Sequence, residues 1–483
     1  MIAAASPTHQ DAVAPAAWWI MLLCSLAVGV VAGFGAVVFR DMIGAFHNLL
    51  FLGQLSIHYD ANVHTDIPPP WGAWIILVPV LGAIAVAFLV KNFAPEAKGH
   101  GVPEVMEAVY YHGGRIRPVV ALIKSVASAL SIGSGGSVGR EGPIIQIGAA
   151  FGSTLGQMVP MTAADRAVLI AAGAGGGIAA TFNTPIGGIA FAIELMMPVA
   201  TAANLLIVAI STLIATSIGR LFFGAEPSFN VLSLSIEHGL DPTLLVLPWF
   251  ALCGLLVGLL AWAFTRGIYR FEDLFDSMPG NYYTRHMSGM LIVGVLMYGF
   301  VTLSQRAFGQ PNHYYIEGVG YATIMDILRG DLTAPEFLLL LMAAKLLATC
   351  LTLGSGASGG VFSPAMFMGA TLGGAFGSVL QSIFPDLPSA SIMSPAHFAY
   401  AGMAGMVGGT TGAVITGTVM IFEMTRDYTV IMPVILTVAV SAAVRNWLSP
   451  ATIYTMKLVR RGEAVPRGLQ VLMSRPPRDA TND

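Results

Sequence analysis

Residues 133–143 read GSGGSVGREGP and place five glycines, an arginine and a glutamate in one short stretch. Charged residues are scarce elsewhere, since they make up 10% of the chain, against roughly 25% in soluble proteins. A glycine run followed by a proline predicts a loop and then a helix, because proline lacks the N–H that stays unpaired in a first turn. Arg140 and Glu141 therefore stand at a predicted helix N-terminus.

The composition around this stretch is that of a membrane protein. The chain has 483 residues, of which 55% are hydrophobic, and its mean hydropathy is +0.74. A membrane-spanning helix needs about 20 mostly apolar residues. Several stretches meet this requirement: 18–39, 71–90, 205–223, 244–264, 287–303 and 337–353. We predict an all-α polytopic membrane protein.

Charge and cysteine content exclude several functions. A net charge of −3 does not fit a nucleic-acid-binding protein, which carries a basic surface. Cys24, Cys253 and Cys350 all lie in apolar runs, so they predict neither a disulfide framework nor a metal site. We expect no metal and no cofactor.

An internal repeat relates the opening stretch to a second one. At a constant offset of 221, Lys124 meets Lys345 and Pro143 meets Pro364, with matching glycines around them. At an offset of 229, Glu194 meets Glu423. We predict two related halves at about 20–235 and 240–450, after an N-terminal segment of residues 1–19. A short basic and then polar tail, 459–483, follows, and its positive charge places it in the cytoplasm.

Repeated halves indicate a transporter or channel whose binding site lies where the halves meet. Both copies show an apolar helix, a glycine loop and a proline that opens the next helix. Helix N-termini present free N–H groups and a positive dipole end, which together bind anions. The residues alone do not decide whether the repeat is parallel or inverted.

Four short motifs resemble those of the CLC family of chloride channels and chloride/proton exchangers. They are GHGVPE at 99–104, GREGP at 139–143, GGVFSP at 359–364 and IYTMK at 453–457. The resemblance covers about residues 20–458. It implies inverted halves with broken helices that meet at a midplane anion site. It also implies chloride and protons as substrates, a prokaryotic inner membrane, and a homodimer with one pore per subunit.

The resemblance also assigns roles to individual residues. Glu141 matches the gating glutamate, whose carboxylate competes with the anion and couples its movement to protons. The implied anion-binding positions are His100, Gly101, Arg140, Gly142, Val361, Phe362 and Tyr454. The alternative for Arg140 and Glu141 is a buried ion pair or a helix cap, and the alternative for Tyr454 is an anchor at the membrane interface.

Two departures from the family pattern bear on the mechanism. His100 stands where the family has a serine, and its imidazole either donates to the anion or points elsewhere. Leu195 follows Glu194 where the exchangers have a second, proton-transferring glutamate, although members without that residue can still exchange protons. Lys124 matches the buried lysine of the family and biases the electrostatics of the path, unless it snorkels to the interface.

We therefore predict chloride/proton exchange gated by Glu141, with a passive, gated chloride channel as the alternative. A fluoride exporter is more remote, because Pro143 and Tyr454 match the chloride-type pathway. An intramembrane serine hydrolase is equally remote, although Ser137 and Ser358 both fit G-x-S-x-G. Such an enzyme needs a histidine nearby, and we expect His238, His286, His313 and His397 to lie in or beside polar connecting segments, outside the apolar spans.

Overall fold

The computed structural model describes residues 14–65, 70–229, 243–385, 394–427 and 431–463, and this part of the chain is almost entirely helical. The helices of the first half are α1 Trp18–His47, α2 Val78–Phe93, α3 Val102–Tyr111, α4 Pro118–Gly133, α5 Glu141–Met158, α6 Ala163–Phe182, α7 Pro185–Phe191 and α8 Ala202–Phe223. Those of the second half are α9 Thr243–Ser277, α10 Tyr282–Phe308, α11 Tyr321–Arg329, α12 Pro335–Ser355, α13 Phe362–Ile383, α14 Pro395–Thr411, α15 Val414–Thr425, α16 Ile431–Leu448 and α17 Thr455–Arg460.

Nine helical segments of the described chain are long and apolar enough to cross a membrane. Each of the six stretches predicted from the sequence overlaps one of them along most of its length, so the polytopic membrane class is confirmed. The three segments that were not picked out are 163–182, 362–383 and 431–448. The first two have a hydropathy of only 1.2, because glycine and alanine replace large side chains where helices pack on one another.

Corresponding helices of the two halves make corresponding contacts. In the first half α1 packs on α8 and α6, while α5 packs on α6. In the second half α9 packs on α16 and α14, while α13 packs on α14. Glycines at repeat-related positions allow close packing of the helices in both halves. A Cβ on Gly148 would overlap the Gly173 carbonyl, and a Cβ on Gly369 would overlap the Gly402 carbonyl. The predicted repeat is therefore a repeat of structure.

The halves run in opposite directions, as the inverted repeat requires. Two vestibules with no lining residue in common open into the protein. The arginine vestibule is lined by Arg40, Arg140 and Arg329, and the lysine vestibule by Lys98, Lys457 and Glu104, among others. Helix α1 carries Arg40 to the first, whereas its counterpart α9 carries Glu272 to the second. Equivalent helices thus end at opposite mouths.

The predicted domain limits stay a prediction, and the described helices lie near two of them. Helix α1 begins at Trp18, two residues before the expected start of the membrane domain. The expected division between the halves, near 235–240, lies outside the described residues. Helix α17 extends to Arg460, and the tail from residue 464 onward also lies outside the described part.

Candidate functional site

Three glycine loops meet at the centre of the molecule and satisfy one another's backbone groups. Gly99 N–H donates to Ala357 O at 2.9 Å, and its carbonyl accepts from Gly359 N–H at 3.2 Å. Gly139 and Gly360 exchange a reciprocal pair of hydrogen bonds at 2.7 and 2.6 Å. Irregular backbone at membrane depth is tolerated only where it is buried in protein or lines a cavity. This pairing explains how the two halves can place broken helices opposite each other.

Glycine is required at this junction by close approach. A Cβ on Gly142 would overlap the His100 carbonyl oxygen and lie 3.1 Å from Gly360 Cα. Gly101 has φ 84° and is the residue before α3, so it takes a backbone conformation that glycine adopts without strain. At Gly142 the start of α5 therefore comes within contact of Gly360 in the second-half loop.

The carboxylate of Glu141 lies at the N-terminus of α13. Glu141 is the first residue of α5 and is fully buried. Its Oε2 accepts from the Ser363 backbone N–H at 3.2 Å, and its Oε1 accepts from the hydroxyls of Ser363 and Tyr321. Val361 is the residue before α13 and Phe362 is the first helical one. The carboxylate thus occupies the kind of position that a helix start offers to an anion.

Arg140 does not pair with Glu141. The described residues contain no ion pair between the two side chains, so the buried-pair alternative is wrong. Arg140 precedes α5 without a side-chain capping bond, and its guanidinium lies 5.2 Å from the centroid of the Tyr321 ring. With Arg40 and Arg329 it lines the arginine vestibule, whose volume is about 290 Å³. Against the two acids that also line it, Asp60 and Glu226, the three arginines leave this mouth with a net positive charge, which attracts anions.

His100 and Tyr454 lie together on the far side of the junction. Their ring centroids are 5.7 Å apart, and Tyr454, which precedes α17, is 1% exposed. The Tyr269 hydroxyl donates to Ile453 O at 2.7 Å and lies 3.5 Å from His100 Nε2. His100 Nδ1 is buried with no hydrogen-bond partner among the described residues. Tyr454 is buried and does not anchor at an interface.

The lysine vestibule, which encloses about 570 Å³, lies beside the His100 loop, because the Nζ of its lining residue Lys457 is 3.5 Å from a Cβ placed on Gly99. Lys457 Nζ forms an ion pair with Glu104 at 2.7 Å, and Arg461 pairs with both Glu104 and Glu107. Gln146, on α5 five residues after the gating glutamate, also lines this vestibule. Ion pairs join several of the charges of this mouth, and the opposite mouth holds the acids Asp60 and Glu226 beside its arginines.

Lys124 binds the loop that carries His100. Its Nζ donates to the carbonyls of Gly99 at 2.6 Å and Ala97 at 3.1 Å, and the residue is completely buried. The snorkelling alternative for Lys124 is therefore wrong. Its repeat partner Lys345 acts in the same way and donates to Ile316 O, Glu317 O and Gly318 O at 2.8–3.3 Å. Each lysine fixes one loop of its own half.

Glu194 caps a helix of the opposite half. Its carboxylate accepts from the backbone N–H groups of Ile415 and Thr416, at 2.9 and 2.7 Å, at the start of α15. Its repeat partner Glu423 accepts from Ile186 and Gly187 at the start of α7, at 3.1 and 2.7 Å. Each glutamate thus connects its own half of the molecule to the other half by hydrogen bonds. Leu195, the next residue, is packed into the main apolar core.

The two G-x-S-x-G serines make contacts other than those of a nucleophile. Ser137 Oγ lies 3.2 Å from Thr349 Oγ1, and Ser358 donates to Ala97 O at 2.7 Å. Our expectation for the histidines is wrong in part, because His286 and His397 lie inside α10 and α14. They contact Ser355 and Ser394. Within the described chain, no group of three or more His, Cys, Asp or Glu residues could hold a metal ion.

Three residues of the site were missed by the sequence analysis: Tyr321, Ser363 and Tyr269. Tyr321 could have been found, because the offset of 221 that pairs Lys124 with Lys345 also pairs His100 with Tyr321. Ser363 lies within the quoted motif but its hydroxyl was given no role. Tyr269 lies far along α9, and no local pattern distinguishes it from other tyrosines of the chain.

This fold and this site define a class of protein: a helical membrane protein of two inverted halves whose broken helices present their N-termini at a buried anion position. Residues 82–446 match the family model described as voltage gated chloride channel. The chain belongs to that family.

Relatives and solved structures of the family resemble the chain along most of its length. It is 31% identical over 455 residues to a protein of Vibrio parahaemolyticus named H(+)/Cl(-) exchange transporter ClcA, with 91% of this chain and 89% of the relative covered. The protein of the same name from Cronobacter sakazakii is 31% identical over 453 residues, with the same coverage. The crystal structure of a slow cyanobacterial Cl⁻/H⁺ antiporter matches with a TM-score of 0.75 and 27% identity, covering 91% of this chain and 97% of the other.

Proposed function

We propose that the protein exchanges chloride for protons across a membrane, with Glu141 as the group that couples the two. The observation that carries the proposal is the Glu141 carboxylate, which receives the Ser363 N–H at the start of α13. An ionised carboxylate there is a tethered anion that competes with chloride, and protonation frees it to leave. One side chain thereby links proton occupancy to anion occupancy. The names of the relatives support the same substrates.

The anion path runs between the two vestibules through the junction. Arg40, Arg140 and Arg329 gather anions at one mouth. Backbone N–H groups near Val361 and Phe362 bind the ion at the junction without a full positive charge, which permits release. His100 and Tyr454 contact it on the other side. No metal or cofactor takes part in this scheme.

Protons reach Glu141 from the lysine-vestibule side through water in this proposal. Leu195 carries no titratable group, and the Glu194 carboxylate is engaged at the start of α15. The lysine vestibule reaches Gln146, one and a half turns along α5 from Glu141. Water that enters this vestibule is therefore the remaining route.

Exposed apolar side chains and the basic residues after the last span indicate how the protein lies in the membrane. Many large apolar side chains are exposed on the spanning helices, including Leu122, Leu213 and Leu221, and we place them against lipid. Lys457, Arg460 and Arg461 follow the last span, so the lysine vestibule and the C-terminus face the cytoplasm of a bacterial inner membrane.

We assign a homodimer with one pore per subunit on the basis of the family. Transport by binding and release, without bond-making chemistry, makes the protein a transporter and not an enzyme.

The test is proton movement in liposomes driven only by a chloride gradient. Wild-type protein is expected to move protons, and Glu141→Gln, a neutral mimic, is expected to abolish proton movement while chloride flux continues. Glu336→Gln, an exposed acid at the start of α12, is the matched control and should behave as wild type. Rapid chloride flux without proton movement in the wild type would identify a passive channel instead. Continued proton movement in Glu141→Gln would exclude Glu141 as the coupling residue.

A further inference from the structure

Two side-chain hydroxyls surround the Glu141 carboxylate in addition to the backbone of α13. Tyr321 and Ser363 both donate to Glu141 Oε1, and their own oxygens are 2.7 Å apart. All three side chains are buried, with exposed fractions of 2% or less. Hydrogen bonds to an ionised acceptor are about twice as strong as those between neutral groups. The hydroxyls therefore strengthen the hold on the carboxylate beyond what the helix N-terminus provides.

Tyr321 is held rigidly in this position. It opens α11 after Gly320, whose φ is 80°, and a Cβ on Gly320 would lie 2.6 Å from the Phe367 ring. The preceding loop is bound by the ammonium group of Lys345. The Tyr321 ring also packs edge-to-face on Phe229, with a centroid distance of 5.6 Å. A restrained ring delivers its hydroxyl to one place, so the contact with Glu141 is a built feature.

The internal repeat relates the contact between Tyr321 and Glu141 to a similar arrangement in the first half. The offset of 221 relates Tyr321 to His100 and Lys345 to Lys124. In each half a buried lysine binds a glycine loop, and the loop presents one ring side chain to the junction. The ring of the first half meets Tyr454, and the ring of the second half meets Glu141. The two halves thus supply one ring to each end of the central site.

We propose that Tyr321 and Ser363 form a hydroxyl latch that holds the ionised Glu141 carboxylate over the anion position of α13. The latch sets how strongly the carboxylate competes with chloride and how often it leaves. Both are positioning residues that act through Glu141. This inference rests on the proposed function, because it takes Glu141 as the tethered competitor of the transported anion. The latch would control the rate of exchange, and this control does not depend on the route by which protons reach Glu141.

Removal of one hydroxyl should therefore tighten the binding of chloride. The competing carboxylate loses one hydrogen bond, while the backbone N–H of Ser363 remains. A hydrogen bond to a charged group contributes enough for roughly a ten-fold change in the competition. Tyr321→Phe and Ser363→Ala should each strengthen chloride binding about three- to ten-fold and increase the rate of exchange. Both substitutions keep the shape of the side chain apart from the oxygen.

The experiment is calorimetric titration of the purified protein with chloride at neutral pH, in a double-mutant cycle with Glu141→Gln. In the Glu141 background the latch variants should bind chloride more tightly than wild type. In the Glu141→Gln background they should differ from it by less than about two-fold, because the ionised competitor is gone. Tyr315→Phe is the matched control, since Tyr315 is equally buried on the same segment and does not contact Glu141. Its chloride affinity should equal that of wild type.

Each other result has a definite meaning. An equal change in both backgrounds would overturn the latch and identify the hydroxyls as ligands of the anion or as packing groups. No change in either background, with Glu141→Gln itself tightening chloride, would overturn the latch and leave the proposed function intact. Failure of Glu141→Gln to tighten chloride would overturn both, because Glu141 would not compete with the anion. If Tyr321→Phe fails to fold, Ser363→Ala provides the same comparison.

Discussion

At the scale of single residues, His100 illustrates how burial changes the chemistry that a residue type suggests. A histidine in place of serine suggests a group that titrates near neutral pH. In the structure the ring is only 4% exposed, and Lys124 binds the carbonyl of the neighbouring Gly99. A Cβ on Gly99 would lie 3.5 Å from Lys457 Nζ. A third positive charge is unfavourable beside these two ammonium groups and away from water, so we expect the imidazole to stay neutral.

Chloride affinity should consequently be insensitive to the ionisation of His100. In the Glu141→Gln background, which removes the other titrating group at the junction, we expect the affinity to stay constant from about pH 5 to pH 8. His100→Ser in the same background is the control and should show the same flat profile. The measurement is calorimetric titration with chloride. Affinity that rises several-fold towards pH 5 with His100, and not with serine, would show that the imidazole gains a proton there.

At the scale of secondary-structure elements, two glutamates join the halves, because each lies at the N-terminus of a helix in the opposite half. Glu194 from the end of the α7 segment caps α15, and Glu423 from the end of α15 caps α7. A carboxylate at a helix N-terminus is stabilised by the free N–H groups and by the helix dipole. The arrangement is reciprocal, so each cap supports the other half. Structural use of Glu194 also explains how an acid can be retained one position away from the family's proton-transfer residue without carrying protons.

Glu194→Gln and Glu423→Gln should have the same effect because the two caps are equivalent. Each loses a charge-assisted cap worth about 1–2 kcal/mol, so the midpoint of thermal unfolding in detergent should fall by roughly 2–5 °C. Chloride-driven proton movement should survive in Glu194→Gln. Glu336 also lies in a first helical turn, but it is exposed and no side-chain cap hydrogen bond is made there. Glu336→Gln is therefore the control and should lower the midpoint much less than either cap variant. Loss of proton movement in Glu194→Gln at an unchanged midpoint would assign Glu194 to the proton route.

At the scale of the whole molecule, one chain supplies every part of the proposed path. Both vestibules, the contacts around Glu141 and the rings of His100 and Tyr454 all come from a single copy. The inverted halves create this path because each contributes one helix start and one loop to the junction. A second subunit is therefore unnecessary for the site itself. In a homodimer the two paths should work independently.

A mixed dimer tests this independence. We expect the purified protein to have twice the chain mass of 50.6 kDa by light scattering. A dimer that contains one wild-type subunit and one Glu141→Gln subunit, isolated with two affinity tags, should show half the proton movement of the wild-type dimer. Wild-type and doubly substituted dimers prepared in the same way are the controls. Complete loss of proton movement in the mixed dimer would show that the subunits act together.

The sequence by itself determined the class of this protein and the repeat, and it predicts the position of a gating acid. Apolar stretches of spanning length are local and need no tertiary information. The same holds for the glycine loop and proline that mark the helix starts of α5 and α13. The gating role of Glu141 is implied by the resemblance of GREGP to the CLC motif and stays a prediction. The weakly hydropathic segment 163–182 was missed, since glycines and alanines that allow close packing lower the hydropathy on which recognition depends.

Only the tertiary structure decided what the other polar residues contact. Tyr321 and Ser363 are separated from Glu141 by 180 and 222 positions, and they meet it only when the two halves pack in their observed register. The same register turns Glu194 into a cap and Lys124 into a support for the loop of His100. The physical reason is that a helix start is specified by its own residues, whereas the partner of a buried polar side chain is selected by the packing of distant helices.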